Sequence, residues 1–400
     1  MKFVQWVSAL RERKINTHSA FPRSLIALIY LLLLGCVSFH VYRTPIYSFD
    51  SLQYMGNAVL MDEQDPVKLH KRVYSEIDDR IPRIARENML GHEVGAPEDQ
   101  NKSLQDRATN PYHFAEFLPC FAIRPMYNIF LYLIAKSGVG LVCAGILISA
   151  TSHFLLGAML FLWLAEYLPY FGALCLALVT MISPPIMELG RENTSDALAS
   201  VIAFSALYFI FQKQKLLPGV VLLLSSIYFR TDFVVLAGPV LLALWWERKL
   251  DLWKAGVLSL VAVASVLTIN HFAGDYGIKM LYYRNFVGVP SAPGEMIVSF
   301  SWRDYLVAFR SGVTLVAGRS FIPFMLLGTI GLVLHSRLRI LALIGFAYVL
   351  LHFLVLPNWD ERWFGVFYLA MALCAAAANS PHWSAQKTGT AAAYEGAAIT

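Results

Sequence analysis

The amino-acid sequence predicts an all-α polytopic membrane protein with about ten transmembrane helices and a large first extracytoplasmic loop that contains short membrane-surface helices. Three observations carry this prediction. Apolar and aromatic residues fill 57% of the 400 positions and charged residues only 15%, where soluble domains carry about 25%. Apolar runs of near-spanning length recur along most of the chain. Basic residues gather at the ends of alternate runs, the pattern that sets orientation in a bilayer.

The net charge of +5 is modest, and no basic run is dense enough to track a phosphate backbone, so nucleic acid is not an expected partner. Cys36, Cys143, Cys175 and Cys374 lie inside apolar runs and Cys120 lies near an interface. Their spacing builds neither a disulfide framework nor a zinc site.

Taken in order, residues 1–23 form a cytoplasmic N-terminus carrying Lys2, Arg11, Arg13, Lys14 and Arg23. Residues 24–42 form the first transmembrane helix. Its apolar run is about 19 residues, longer than a signal-peptide core and without a small-residue cleavage site. Residues 43–139 form the extracytoplasmic loop. Its charged part, 62–110, reads as short solvated helices, and 117–135 reads as a single apolar helix along the outer leaflet. A full span there would invert everything downstream. Residues 140–378 form the helix bundle, with apolar runs at 141–164, 171–186, 197–211, 216–246, 253–272, 313–334, 340–356 and 363–378. Pro184 and Pro185 stop the second of these runs. The tail, 379–400, is small and polar and reads as disordered and cytoplasmic.

The run 216–246 fixes the count. As one helix it would bury Arg230 and Asp232 at mid-bilayer, each costing about 2.5–3.5 kcal/mol. As two short helices meeting at 230–232 it keeps Lys213, Lys215, Arg248, Lys249, Arg337 and Arg339 all on the cytoplasmic side. The polar triplet then forms the apex of a wet cavity on the other side.

Ionisable groups at membrane depth are candidate functional residues by default. Asp50 follows the first helix, where it could cap a helix starting at Ser51 or accept a proton. Glu188, Arg191, Glu192 and Asp196 crowd one short loop in which Asn193, Thr194 or Asp196 could also cap a helix. Arg230 and Asp232 could pair with each other or face an anion. Asp360, Glu361 and Arg362 could cap the last helix. His113 reads as a surface histidine. All of these fall on the extracytoplasmic side, so an acid able to act as a general base shares a face with arginines. The planar guanidinium fork suits phosphate.

The order of these features resembles the GT-C glycosyltransferases, which use polyprenyl- or dolichyl-phosphate sugars. The resemblance runs from about Tyr30 to Leu373. It rests on Asp50 after the first helix and on Arg124-Pro125-Met126-Tyr127 closing the long loop. It also rests on Ser183-Pro184 followed by Arg191-Glu192-Asn193-Thr194-Ser195-Asp196, on Phe229-Arg230-Thr231-Asp232, and on Glu361-Arg362-Trp363. The resemblance implies an inverting transfer from a polyprenyl-phosphate-linked sugar donor to a glycan, lipid or other hydroxyl acceptor. Asp50 would be the catalytic base. Arg191, Arg230 and Arg362 would bind the donor phosphate, with Glu188, Glu192, Asp196 and Asp232 in support and His113 and Arg124 as loop candidates. Some relatives bridge acids of the first and second loops with a divalent metal, for which Asp50 with Glu188, Glu192 or Asp196 would serve. The expected location is the bacterial inner membrane. Two features depart from the family: Phe49 and Ser51 flank Asp50 where paired acids are often seen, and the His-Pro-Pro signature of protein mannosyltransferases is absent. A transporter or lipid flippase is the alternative, although no self-similar halves are visible. A non-catalytic envelope scaffold is a third.

Overall fold

The computed structural model describes residues 22–377, apart from 289, 291–292, 297–300, 318–320, 335 and 358–359. Residues 1–21 of the expected N-terminus and all of the expected tail lie outside the described residues. Among the described residues every regular element is a helix, and one isolated parallel bridge joins Ile46 to Glu192.

Helix α1 (Arg23–Arg43) leads into a cap built from α2 (Phe49–Val59), α3 (Pro66–Arg80), α4 (Arg83–Met89), α5 (Glu98–Thr109), α6 (Pro111–Phe121) and α7 (Pro125–Ile134). The starts of these helices follow local chemistry. Ser48 caps α2 by accepting from the Asp50 N–H at 3.2 Å, which moves Asp50 from the expected cap position into the first turn. Asp65 caps α3 by accepting from Val67 and Lys68 at 2.9 and 3.3 Å. Asn110 does the same for α6, accepting from Tyr112 and His113 at 3.0 and 3.4 Å. Pro66 and Pro111 follow these caps, in a first turn where a missing N–H costs nothing. The expected single helix over 117–135 is instead two. Pro125 disfavours the helical conformation at the residue before it, and Arg124 sits at φ −122° and ψ 60° between α6 and α7.

The central helix is α8 (Leu141–Leu164), buried along most of its length. The Tyr30 hydroxyl on α1 donates to the Gly157 carbonyl at 2.8 Å, and its ring stacks on Phe161. Helices α9 (Tyr170–Met181) and α10 (Pro184–Arg191) meet at a 63° bend. Pro184 and Pro185 therefore do more than stop a span: they open the first turn of α10. Helix α11 (Asp196–Leu207) runs through a π turn to Gln212. Residues 216–246 form two helices, α12 (Leu216–Phe229) and α13 (Val234–Trp246), separated by extended Arg230 and a 3-10 turn at Thr231–Phe233. Then come α14 (Leu252–Phe272), α15 (Tyr276–Phe286), α16 (Trp302–Ala317), α17 (Phe321–Leu334) and α18 (Ser336–Val355). A 3-10 turn at Glu361–Phe364 opens α19 (Gly365–Ala377). The helix α15 was unexpected in a region read as loop, and the run expected over 313–334 divides between α16 and α17.

Among the described residues four helices are long and apolar enough to cross a membrane: Arg23–Arg43, Leu141–Leu164, Leu252–Phe272 and Leu338–Val355 within α18. The bent pair α9–α10 makes a fifth if it counts as one span. Asp196–Gln212, Leu216–Phe229, Thr231–Trp246 and Phe321–Val333 are apolar but only 10–17 residues long. The described residues are thus all-α with four to five helices long and apolar enough to span; the ten the sequence predicts would need the shorter apolar helices to cross as well.

The described residues pack into two apolar cores. One lies in the bundle, around Leu34, Leu160, Trp163, Phe204, Leu223 and Phe367. The other lies in the cap, where Leu52, Met55, Val73, Phe114, Phe117 and Tyr127 close over the first turns of α8. Burying one such side chain from water stabilises by about 1.5–3 kcal/mol, so the cap packs as a unit on the bundle. The Ile46 N–H donates to the Arg191 carbonyl at 2.8 Å, and the Arg191 Nε donates to the Thr44 carbonyl at 2.6 Å. This short pairing sets the start of α2 beside the α10–α11 loop. That loop lies hard against α8: a Cβ at Gly145 would fall 1.7 Å from Asn193 Oδ1, so only glycine admits it.

Candidate active site

The charged network between the two cores begins at Arg362, in the turn before α19. Asp360 caps that turn, and its carboxylate accepts from the Arg362 Nε at 2.7 Å. The same guanidinium reaches Asp50 at 3.2 Å, Asp196 at 3.5 Å and Glu192 in a close contact. Asp196 carries the network on, receiving the Arg230 Nη1 at 2.6 Å and the Thr194 hydroxyl at 2.8 Å. Arg230 also forms a two-pronged pair with Asp232 at 2.8 and 2.5 Å. His352 on α18 meets Asp232 Oδ2, the oxygen that also takes the Arg230 Nη2, at 3.2 Å. Asp50, Glu192, Asp196, Arg230 and Arg362 are all buried.

A small cleft opens on one side of this network. It is lined by Asp50, Asp196 and Arg362, by Arg124 and Arg284, and by apolar groups that include Ile123, Met280 and Trp363. Arg124 donates to the Tyr54 hydroxyl in a close contact and lies over the Tyr54 ring. Arg284, on α15, stacks on the Phe49 ring and approaches Asp50 Oδ1 to 3.6 Å. That oxygen is buried and has no hydrogen-bond partner. Helix α15 can approach this closely because of Gly277, where a Cβ would fall 2.1 Å from the Ile123 side chain.

The charges are unevenly shared. Four carboxylates face the Arg362 guanidinium, so they cannot all be ionised at equal cost. Burial pushes the Glu192 carboxyl up to about 8; Arg362 opposes this, while Asp360, Asp196 and Asp50 add to the rise. Burial would raise Asp50 too, but the guanidinium groups of Arg284, Arg362 and Arg124 outweigh it and hold that carboxyl below its ordinary range. Asp50 is therefore an ionised acceptor with one oxygen free toward the cleft, and Glu192 is the group that keeps a proton.

The candidates from sequence separate cleanly. Asp50, Glu192, Asp196, Arg230, Asp232 and Arg362 form one connected network. Arg124 joins at the cleft wall. Arg191 does not face the cleft, because it clamps the backbone at Thr44. His113 has no ion pair with the network among the described residues. Glu188 lies near Glu192 and Asp360, and the three carboxylates come within 4.8 Å of one another, a spacing that a hard divalent cation could bridge. Arg362 already occupies two of these three acids, so a cation there would compete with the guanidinium. Sequence reasoning missed Arg284 and His352. A histidine inside the apolar run 340–356 is itself a signal of buried ionisable chemistry, and it outranks His113. Arg284 gave no such signal while α15 was read as loop.

A scan against family models finds no match, and searches of curated proteins and of solved structures find none either.

Proposed function

We propose that this chain is an integral membrane glycosyltransferase that moves a sugar from a polyprenyl-phosphate donor to an acceptor hydroxyl at the extracytoplasmic face. One observation carries the reading: a carboxylate held below its ordinary pKa range, Asp50, faces a cleft lined by three arginines, Arg124, Arg284 and Arg362, while the second acid there, Asp196, is taken up by Arg230 and Arg362. In an inverting displacement the acceptor oxygen attacks the anomeric carbon and gives its proton to Asp50. The bond from that carbon to the phosphate oxygen breaks, and the phosphate leaves with the electron pair. Asp50 is a weak base, so the proton moves late, once the new bond has formed. Arg124, which has no ion pair among the described residues, and Arg284, whose ion pair there is the 3.6 Å contact with Asp50, are placed to stabilise the leaving phosphate. Arg230 is saturated by Asp196 and Asp232, so its part is to hold Asp196, and with it Arg362, in register.

The proposed orientation has its own support. Lys213 and Lys215 follow α11, and Arg248 and Lys249 follow α13. Both helices start at the network, so these basic residues sit roughly 20 Å away from Asp50 by helix length, as the positive-inside rule would have it. Ten crossings, with the shorter helices spanning as pairs or at a tilt, is the arrangement this orientation favours.

The test uses the purified protein in nanodiscs with a labelled polyprenyl-phosphate sugar. Asp50→Asn should lower transfer about 100-fold or more and cost some thermal stability through the lost pair with Arg362, while leaving donor binding in place. Normal transfer by this variant would remove Asp50 as the base. Movement of intact donor across a bilayer, without cleavage, would favour the flippase instead.

A further inference from the structure

Two prolines at the α9–α10 bend leave two buried carbonyls to be served from elsewhere. In a continuous helix the N–H groups of residues 184 and 185 would bond to the carbonyls of Thr180 and Met181. Both residues are proline and have no N–H to give. Ser183 serves the first carbonyl: its N–H donates to Thr180 at 3.1 Å and its hydroxyl at 2.6 Å. The second is served from another helix. His153, in the middle of α8, meets the Met181 carbonyl through Nε2 at 3.2 Å. A carbonyl can only accept, so Nε2 carries the proton. Nδ1 meets the Ser38 hydroxyl of α1 at 2.9 Å. The side chain is 1% exposed, and both of its nitrogens are occupied.

The same side chain backs onto α10. A Cβ at Gly190 would fall 2.8 Å from the His153 Cδ2 and 3.0 Å from its Cγ, so only glycine lets the helix lie this close. Gly190 immediately precedes Arg191, which clamps Thr44, and Glu192, which meets Arg362. One imidazole thus joins α1, the end of α9 and the end of α10, where the α10–α11 loop begins. We infer that His153 is a positioning residue for transfer: it fixes the 63° bend, and so where Glu192 and Asp196 hold Arg362 against Asp50. The inference rests on the proposed function for the reaction that is served. Arg124 and Arg284 stand on the α6–α7 junction and α15, away from the bend. Loss of His153 should therefore reach the chemical step and spare donor binding.

Two replacements of similar shape separate the links. His153→Gln keeps an amide N–H near the place of Nε2, within reach of Met181. His153→Asn extends only as far as Nδ1 and can keep only the bond to Ser38. In nanodiscs with a labelled polyprenyl-phosphate sugar, His153→Asn should lower kcat about 10- to 100-fold at an unchanged donor KM. His153→Gln should recover most of that loss. Gly190→Ala, which keeps every polar group but pushes α10 off the imidazole, should show the same fall in kcat at constant KM. Leu160→Ala, in the bundle core, is the control for stability alone: it should lower the Tm and leave both constants in place. Hydrogen exchange supplies a readout free of the reaction. Amides over 186–196 should exchange faster in His153→Asn than in the wild type, and at the wild-type rate in His153→Gln. Equal losses of kcat in His153→Asn and His153→Gln, a parallel rise in donor KM, or unchanged exchange over 186–196 in His153→Asn overturns the inference. If the exchange contrast holds while the wild type transfers no sugar, His153 still places the loop and it is the transferase reading that falls.

Discussion

Glu192 and Asp50 take the two terminal nitrogens of one guanidinium, Arg362, and respond to pH in opposite senses. Glu192 holds its proton to about 8 in the folded state, whereas an unfolded glutamate releases it near 4.3. Its contribution to stability is therefore complete below the ordinary carboxylate value and is lost as pH rises through about 8. Asp50, with a depressed pKa, stabilises above its ordinary value and loses that contribution only in stronger acid. Thermal melts from pH 5 to pH 9 should show stability falling from pH 5 to about 8 and levelling above it, and Glu192→Gln should flatten the curve. A wild-type curve already flat there would mean that Glu192 is ionised throughout. Arg230 gives a sharper contrast. Removing one member of a buried ion network leaves the others uncompensated, typically at about 3–5 kcal/mol. Arg230→Leu should lower the Tm by many degrees and abolish transfer, and restoring neutrality with Asp232→Asn should recover part of the stability and none of the activity.

The elements that present these residues are short and irregular, and that decided how much of them could be read in advance. The break at 229–234 was legible because Arg230 and Asp232 inside an apolar run have few tolerable placements. The start of α19 was legible for the same reason, since Asp360 and Arg362 bracket a turn. The helix α15 was not, because its tyrosines, Lys279 and Arg284 carry no clear apolar period and its packing on Ile123 is a tertiary fact. The split between α6 and α7 was available in principle from Pro125, but the apolar composition of 117–135 masked it. Among the contacts between elements, the approach of the α10–α11 loop to α8 is the most constrained. Gly145→Ala places a methyl on the Asn193 amide, an overpacking that costs about 1–3 kcal/mol. It should reduce both Tm and transfer, and Asn193→Ala in the same chain should restore the Tm. If the double variant is no more stable than Gly145→Ala, the tight fit is not what glycine serves there.

At the scale of the molecule, the site is a seam. Its acids and arginines come from α2, the α10–α11 loop, the α12–α13 break, α15 and the turn before α19. Composition predicted the helical class, and the charge pattern predicted which loops share a face. Neither could predict that the arginines would divide into Arg230 and Arg362, locked among several carboxylates, and Arg124 and Arg284, of which the first has no ion pair among the described residues and the second meets Asp50 at 3.6 Å. That division depends on a few ångströms of packing and leaves no periodic trace in the sequence.

The parallel bridge between Ile46 and Glu192, and the contact from Arg362 back to Asp50, also bear on biosynthesis. Asp50 emerges from the ribosome early, yet its ion-pair partners Arg284 and Arg362 are made 234 and 312 positions later. Until the final hairpin is inserted, the nascent chain carries an unpaired carboxylate at the membrane surface and an incomplete charge network. A polypeptide truncated before Arg362 would thus leave Asp50, Glu192 and Asp196 without the guanidinium they share.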